Sequence, residues 1–126
     1  MVAPRGWKSR VLGRDWRALA RLPWIWTPPQ SAHHRLLSKT FAQHKVSPNK
    51  VALVDQESSM LDLVKSGVGL TLMRESMALR ESHAHGLIIA DTVSLSSELS
   101  FISLAQRRHE PAIAAVFAIL AALWAN

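Results

Sequence analysis

Short apolar runs alternate along the chain with stretches in which apolar positions recur every three or four residues. The first pattern predicts buried strands, and the second predicts helices with one face toward a core. Residues 51–54 (VALV) are all apolar, which predicts a strand buried on both faces. Residues 58–66 then show a helical pattern, because one side of such a helix would carry Met60, Leu61, Leu63 and Val64.

The same two patterns recur through the rest of the chain. Helices are predicted over residues 16–22, 32–44, 75–82 and 111–124, and strands over residues 23–27, 70–73, 87–90 and 99–105. The resulting element order is α-β-α-β-α-β-α-β-β-α. Strands that alternate with helices in this way predict an α/β fold with a mainly parallel sheet.

Polar residues and glycines mark the ends of several predicted helices. Asp15 and Ser31 precede helices, where a side-chain oxygen can accept a hydrogen bond from a free backbone N–H group. Ser58 or Ser59 is predicted to cap the helix that follows residues 51–54. Gly67 lies where a left-handed residue would end that helix.

Residues 67–69 (GVG) raise the question of a phosphate-binding loop. Phosphate-binding glycines follow a strand and precede a helix, so that the N–H groups of the helix N-terminus face the anion. Here the glycines follow a predicted helix and precede a strand, at the end where the helix dipole repels anions. The pattern therefore indicates a helix C-terminus and a turn.

The last predicted helix, from Ala112 to Trp124, is apolar on every side (AIAAVFAILAALW). It is too short to cross a bilayer, which takes roughly 20 residues. A helix that is apolar all round is normally buried all round, so another part of the protein or a second copy should cover it. This indicates that the chain is a fragment of something larger.

Composition narrows the function classes. The chain has 126 residues, 48% of them apolar, and it has no cysteine. This suits one domain or part of one, and it excludes disulfides, zinc–thiolate sites and thiol nucleophiles. Residues 1–10 contain no apolar signal-peptide core, so we expect no secretory signal and a cytoplasmic protein.

The net charge of +6 is uneven, with six basic residues in the first 21 positions and four of the five tryptophans nearby. Arginine beside tryptophan is compatible with a nucleic-acid surface. No nucleic-acid motif accompanies the charge, which favours a solvated basic face with tryptophans anchoring short elements.

Candidate catalytic and metal-binding residues are present without the spacing that their chemistry needs. His33 and His34 are adjacent on a predicted helix and should point apart, so they do not form a metal-ligand pair. Asp55, Glu57 and Asp62 have no partnered nucleophile, and the serines form no nucleophile elbow. We therefore expect no catalytic residues, no metal and no cofactor.

Two polar segments each follow a strand and precede a helix, namely residues 27–31 (TPPQS) and 55–59 (DQESS). In an open α/β sheet, ligands bind at the carboxyl ends of the strands, and helix N-termini there favour a small anion such as a carboxylate. The alternative is that the segments are two ordinary helix caps, and both interpretations can hold together.

The order and spacing of these motifs resemble the C-terminal part of LysR-type transcriptional regulators, within their effector-binding (substrate-binding) domain. The resemblance is carried by PWIWTPPQSAHHRLL, SSMLDLVKSGVGLTLMRES, GLIIAD and LSFISLAQRR, and it covers nearly the whole chain. It implies a Rossmann-like subdomain of the periplasmic-binding-protein-like (type 2) fold, a three-layer α/β/α partial domain. Residues 1–98 would be the second subdomain, and residues 99–126 would be a return strand and a helix that packs on the absent first subdomain.

The resemblance also implies a function and a site. A small-molecule effector, a carboxylate or an amino acid, would bind in the cleft between subdomains. The share of that cleft in this chain would come from Thr27, Gln30, Ser31, Gln56, Glu57, Ser58, Met73 and Arg74. Many family members have proline where Arg74 stands, so this arginine either brings a cation to the effector or faces solvent.

The implied partners follow from the same resemblance. DNA would be bound only through a winged helix-turn-helix domain that this chain does not contain, no membrane would be involved, and the protein would form a homo-oligomer with residues 112–124 contributing. Two other classes stay open: a solute-binding protein of a transporter, which shares the fold but needs an export signal, and an enzyme domain, which the absence of catalytic motifs disfavours.

Overall fold

The computed structural model describes residues 1–125, which form two compact units: Met1–Ser96 and a second unit that begins at Ser97. The elements of the first unit are β1 (Val2–Ala3), α1 (Lys8–Val11), α2 (Trp16–Ala20), β2 (Pro23–Trp26), α3 (Ala32–Gln43), β3 (Asn49–Leu53), α4 (Glu57–Lys65), α5 (Glu75–His85) and β4 (Ile88–Ile89). The second unit contains a 3-10 turn (Ala105–Arg107) and α6 (Pro111–Trp124). Strand β1 and helix α1 are too short to be predicted from the periodicity of apolar residues.

A mixed sheet runs through the first unit. Strands β2 and β3 are parallel, whereas β1 and β4 are antiparallel. The backbone of Leu70 and Thr71 joins the two pairs, because Leu70 bridges to Trp24 and Thr71 bridges to Val2. The order across the sheet is therefore β3, β2, residues 70–71, β1, β4, and the strand predicted over residues 70–73 is present only as these two bridges.

Side chains that alternate along the strands divide the core into two clusters. Trp24 and Trp26 pack in one cluster with residues of α1, α2 and α3, whereas Ile25 packs in the other with residues of α4 and α5. Because neighbouring strand residues point to opposite faces, the sheet lies between two helical layers. This confirms the predicted α/β class and gives the three-layer arrangement a physical basis.

The prediction that residues 51–54 are buried on both faces is wrong. Val51 and Leu53 of β3 are 48% and 67% exposed. Strand β3 pairs with β2 on one side, and no residue in the range 1–125 pairs with its other edge. An apolar run predicts a strand correctly, but it does not report how far the helical layers reach across the sheet.

The strand predicted over residues 99–105 is also wrong. The second unit has no strand within its described residues, and its 3-10 turn begins at Ala105. Alternation indicates a face that would be buried in a sheet, but a strand also needs a partner for its backbone groups. Helix α6 is confirmed, with Pro111 at its first turn, and none of its residues is buried.

The predicted helix ends are confirmed at three positions and wrong at one. Asp15 accepts a hydrogen bond from the Ala18 N–H group at 2.9 Å, and Ser31 accepts one from the His34 N–H group at 3.0 Å. Gly67 follows α4 with a φ of +82°. The predicted serine cap of α4 is wrong, because the helix already begins at Glu57 and no side chain caps it.

Candidate ligand-binding site

A cavity of about 260 Å³ opens at the edge of the sheet where β2 and β3 end. Helices α3 and α4 begin beside it, and so does the segment that leads into α5. The cavity is lined by Thr27, Ser31, Ala32, His33, Asp55, Glu57, Met60 and Arg74. Its walls therefore combine two hydroxyls, two carboxylates, a guanidinium and an imidazole with a small apolar surface.

The two hydroxyls are linked to each other. Thr27 Oγ1 lies 2.6 Å from Ser31 Oγ, and the same serine oxygen accepts the hydrogen bond from the His34 N–H group that caps α3. Since a hydroxyl has one proton and two lone pairs, this pair keeps acceptor capacity for a ligand. The cap also fixes the start of α3 against the end of β2.

His34 does not line the cavity but packs against Trp26 of the core. The indole Nε1–H of Trp26 donates to His34 Nδ1 at 2.9 Å, and the two rings meet edge to face. Because an indole nitrogen only donates, Nδ1 is the acceptor of this bond, and it also lies 3.1 Å from the Thr27 carbonyl oxygen. This bond ties the last residue of β2 to the first turn of α3.

His33, one position earlier, lines the cavity instead. The adjacent histidines thus point apart as predicted, one toward the core and one toward the site. Burial lowers the pKa of His33, the Arg74 charge adds to that effect, and the Glu57 carboxylate opposes it. Near neutral pH the ring therefore offers the cavity a hydrogen-bonding group without a charge.

Arg74 and Glu57 form a two-pronged ion pair at the mouth of the cavity. Arg74 Nη2 donates to Glu57 Oε2 at 3.0 Å, and Arg74 Nε donates to Glu57 Oε1 at 3.4 Å. Arg74 is the residue just before α5, and Glu57 is the first residue of α4. The pair thus connects the N-termini of the two helices that cover this side of the sheet.

Neither α4 nor α5 has a side-chain cap at its N-terminus. The first N–H groups of a helix carry a partial positive charge, which favours carboxylates nearby. Glu57 and Glu75 occupy the first turns of α4 and α5, where their charges are favourable. The arrangement suits the recognition of a small polar molecule by hydrogen bonds and charge.

The structure brings four of the eight predicted binding residues together around the cavity: Thr27, Ser31, Glu57 and Arg74. Gln30, Gln56 and Ser58 lie in the same two polar segments without lining it. Met73 is buried in the core cluster beside α4 and α5, and it lines a different cavity of about 370 Å³. A binding role for each of the eight residues stays a prediction.

Three lining residues lie outside the two predicted segments, Ala32, His33 and Met60, and a fourth, Asp55, lies in the 55–59 segment but was not among the eight named residues. Asp55 had a usable signal, because it directly follows β3 at the end where ligands bind in α/β sheets. His33 and Met60 had none, since their helix positions alone do not say which wall they face.

Within residues 1–125, no group of three or more His, Asp or Glu side chains is placed to hold a metal ion. Over the same residues, no helix combines the length and apolarity needed to cross a membrane.

Comparisons with known proteins show the family and the fold of the chain. The sequence model of the family described as LysR substrate binding domain matches residues 1–125. A solved structure, the effector binding domain of QuiR in complex with shikimate, superposes with a TM-score of 0.54 at 15% identity. The match covers 84% of this chain and 54% of that one, so the chain spans about half of the solved domain, and at this identity the likeness shows the fold alone. No curated protein matches the chain in sequence.

Proposed function

The chain belongs to the LysR substrate-binding domain family, and we propose from this that it is the effector-sensing part of a LysR-type transcription regulator. The effector is a small organic anion, which binds in the cavity beside Thr27, Ser31, Glu57 and Arg74. The chain acts by binding and not by catalysis. Its role is to convert the presence of the effector into a change in transcription.

One observation carries this proposal: the cavity collects polar side chains from three separate places in the sequence at one sheet edge. The hydroxyls come from the segment between β2 and α3, Glu57 comes from the start of α4, and Arg74 is the residue before α5. Ligands in open α/β folds bind at this edge, and the helix N-termini there favour negative charge. A side chain that only capped a helix would account for one of these polar groups, but not for all of them at one edge.

The ligand class follows from the chemistry of the walls. Arg74 can bind a carboxylate through two parallel hydrogen bonds, and the hydroxyls can bind neutral oxygens or amines. Shikimate, the ligand of the solved neighbour, is a hydroxylated carboxylate and so belongs to the same chemical class. We propose that the effector of the present chain is a carboxylate or an amino acid of about the size of shikimate.

The proposal extends to the assembly. The regulator works in the cytoplasm, as a homo-oligomer, and contacts DNA through a winged helix-turn-helix segment outside these 126 residues. Helix α6 supports the oligomer, because it carries exposed apolar side chains along its length, including Val116, Phe117, Ile119, Leu123 and Trp124.

A ligand screen tests the binding proposal. The 126-residue chain is titrated with a panel of small carboxylates, including shikimate, and with their uncharged amides. A binder raises the free energy of unfolding by mass action, by roughly 2.7 kcal/mol at 100 times its dissociation constant. We expect at least one carboxylate to raise the melting temperature and to shift the backbone NMR signals of Thr27 and Ser31. Shifts confined to other residues would contradict the proposed site, and failure of the whole panel would contradict carboxylate binding by this half of the cleft.

A further inference from the structure

We propose that the Glu57 carboxylate occupies the place of the effector carboxylate on Arg74, and that the effector binds by displacing it. This inference rests on the proposed function, because it concerns the same cavity. It assigns Arg74 as the residue that selects for a carboxylate and Glu57 as an internal competitor.

The geometry of the ion pair is that of a bound ligand carboxylate. Nη2 and Nε of Arg74 face the two oxygens of Glu57 at 3.0 and 3.4 Å, which is the fork in which arginine binds carboxylates. An incoming carboxylate of the same shape can take over both hydrogen bonds. The exchange therefore replaces one carboxylate by another and leaves the guanidinium paired.

Because the ion pair is exposed, breaking it costs little free energy. Arg74 is 66% exposed and Glu57 is 34% exposed, and pairs of this kind stabilise a protein by about 1 kcal/mol or less. Once displaced, Glu57 stays at the first position of α4, where the uncapped helix N-terminus still favours its charge. Neither partner is left buried without a counter-charge.

The charges of the cavity explain why an effector would displace Glu57 rather than bind beside it. Among the lining residues, two are carboxylates, Asp55 and Glu57, and Arg74 is the cation. Burial keeps the pKa of His33 below its ordinary value, so this ring adds little positive charge near neutral pH. The carboxylate of an effector would be a third one, and Asp55 and Glu57 would repel it unless it pairs with the guanidinium of Arg74.

The exchange would also change how α4 and α5 are connected. At the cavity, the two helices are joined through Arg74 and Glu57, and away from it Lys65 Nζ of α4 lies 3.2 Å from Glu81 Oε2 of α5. Displacement of Glu57 opens the first link and leaves the second closed. Effector binding is thereby coupled to the relative freedom of two helices on one side of the sheet.

Acetate serves as the probe, because it is the smallest group that can replace the Glu57 carboxylate. The 126-residue wild-type chain is compared with Glu57→Gln, Arg74→Gln and the double variant, at constant ionic strength set with chloride. Binding is followed by the NMR signals of the Arg74 Nε–H group, where present, and of the Thr27 and Ser31 amides. Asp62→Asn is the matched control, because it removes the same charge from an exposed position of α4.

We expect Glu57→Gln to bind acetate more tightly than the wild type, by roughly two- to fivefold, since it removes a competitor of about 0.5–1 kcal/mol. Asp62→Asn should leave the affinity within twofold of the wild type. Arg74→Gln should weaken binding, and in that background Glu57→Gln should give no gain. Acetamide, which lacks the charge, should respond to none of these changes.

Other results would overturn the inference in distinguishable ways. If acetate shifts Thr27 and Ser31 but Glu57→Gln weakens binding or leaves it unchanged, the competition is wrong and the proposed function stands. If acetate perturbs the cavity in none of the variants, both proposals fail. If Asp62→Asn tightens binding as much as Glu57→Gln, the gain reflects net charge and the exchange is refuted.

Discussion

A side chain at Gly69 would meet the backbone of Pro23, because a Cβ atom built there lies 2.6 Å from the Pro23 carbonyl oxygen. That oxygen accepts the hydrogen bond of the Leu70 N–H group at 2.9 Å, and Leu70 joins the two halves of the sheet. Gly69 is therefore required for the close approach of two backbones. Gly67, two positions earlier, has open space around it and is required for its φ of +82°.

We therefore expect a glycine-to-alanine substitution to lower the free energy of unfolding by different amounts at these two positions. Gly69→Ala should lower the free energy of unfolding by about 3 kcal/mol, because the contacting atoms are backbone and cannot rotate away. Gly67→Ala should cost only about 1 kcal/mol, the strain of a left-handed alanine. Urea unfolding followed by circular dichroism measures both. Equal losses would contradict the assignment of Gly69 to a close contact.

The hydrogen bond between Trp26 and His34 predicts unequal roles for two adjacent histidines. His34→Ala leaves the buried indole N–H group of Trp26 without its acceptor, and we expect a loss of about 1–3 kcal/mol in the free energy of unfolding. His33→Ala is the control, since its side chain lines the cavity, and it should change stability by no more than about 0.5 kcal/mol. The reverse order of effects would show that the Trp26 bond is unimportant.

Glu81 predicts a loss of stability in acid. Burial alone would raise the pKa of Glu81, but hydrogen bonds and charge from His85 and Lys65 outweigh it, so the pKa lies below its ordinary value of 4.5. A carboxyl with a lowered pKa stabilises the folded state fully above its unfolded pKa, and this stabilisation disappears as the pH falls through the folded pKa.

The matching experiment compares the wild type with Glu81→Gln over a range of pH. We expect the wild type to be more stable above about pH 4.5 and the difference to shrink steadily below it. Asp62→Asn is the control, because Asp62 is an exposed acid that lies outside the first turn of its helix. A difference between wild type and Glu81→Gln that does not vary with pH would rule out an ionised Glu81 as its source.

The exposed apolar side chains of α6 predict self-association of the chain. Ile119 and Leu123 are 59% and 65% exposed and lie one turn apart. Replacing both with lysine should shift the chain toward monomer in sedimentation velocity, because it removes apolar surface that association would bury. A wild-type chain that already sediments as a compact monomer in dilute solution would contradict this prediction.

Most helices and several of their ends could be predicted from the sequence, because they depend on interactions within a few residues. Asp15 and Ser31 cap helices whose N–H groups are three positions away, and Gly67 supplies a backbone conformation that other residues disfavour. The α/β class and the family resemblance also followed from such local patterns, taken in order. The Thr27–Ser31 half of the site was predictable for the same reason.

Tertiary structure decided what depends on contacts between distant residues. Exposure of Leu53, the junction of the sheet at Leu70 and the need for Gly69 all follow from how strands pack. The pairing of Arg74 with Glu57, 17 positions apart, requires the sheet to bring two helix N-termini to one edge. Residues 99–105 show the limit most clearly: their alternation predicts a strand, but a strand forms only where another backbone offers its hydrogen bonds.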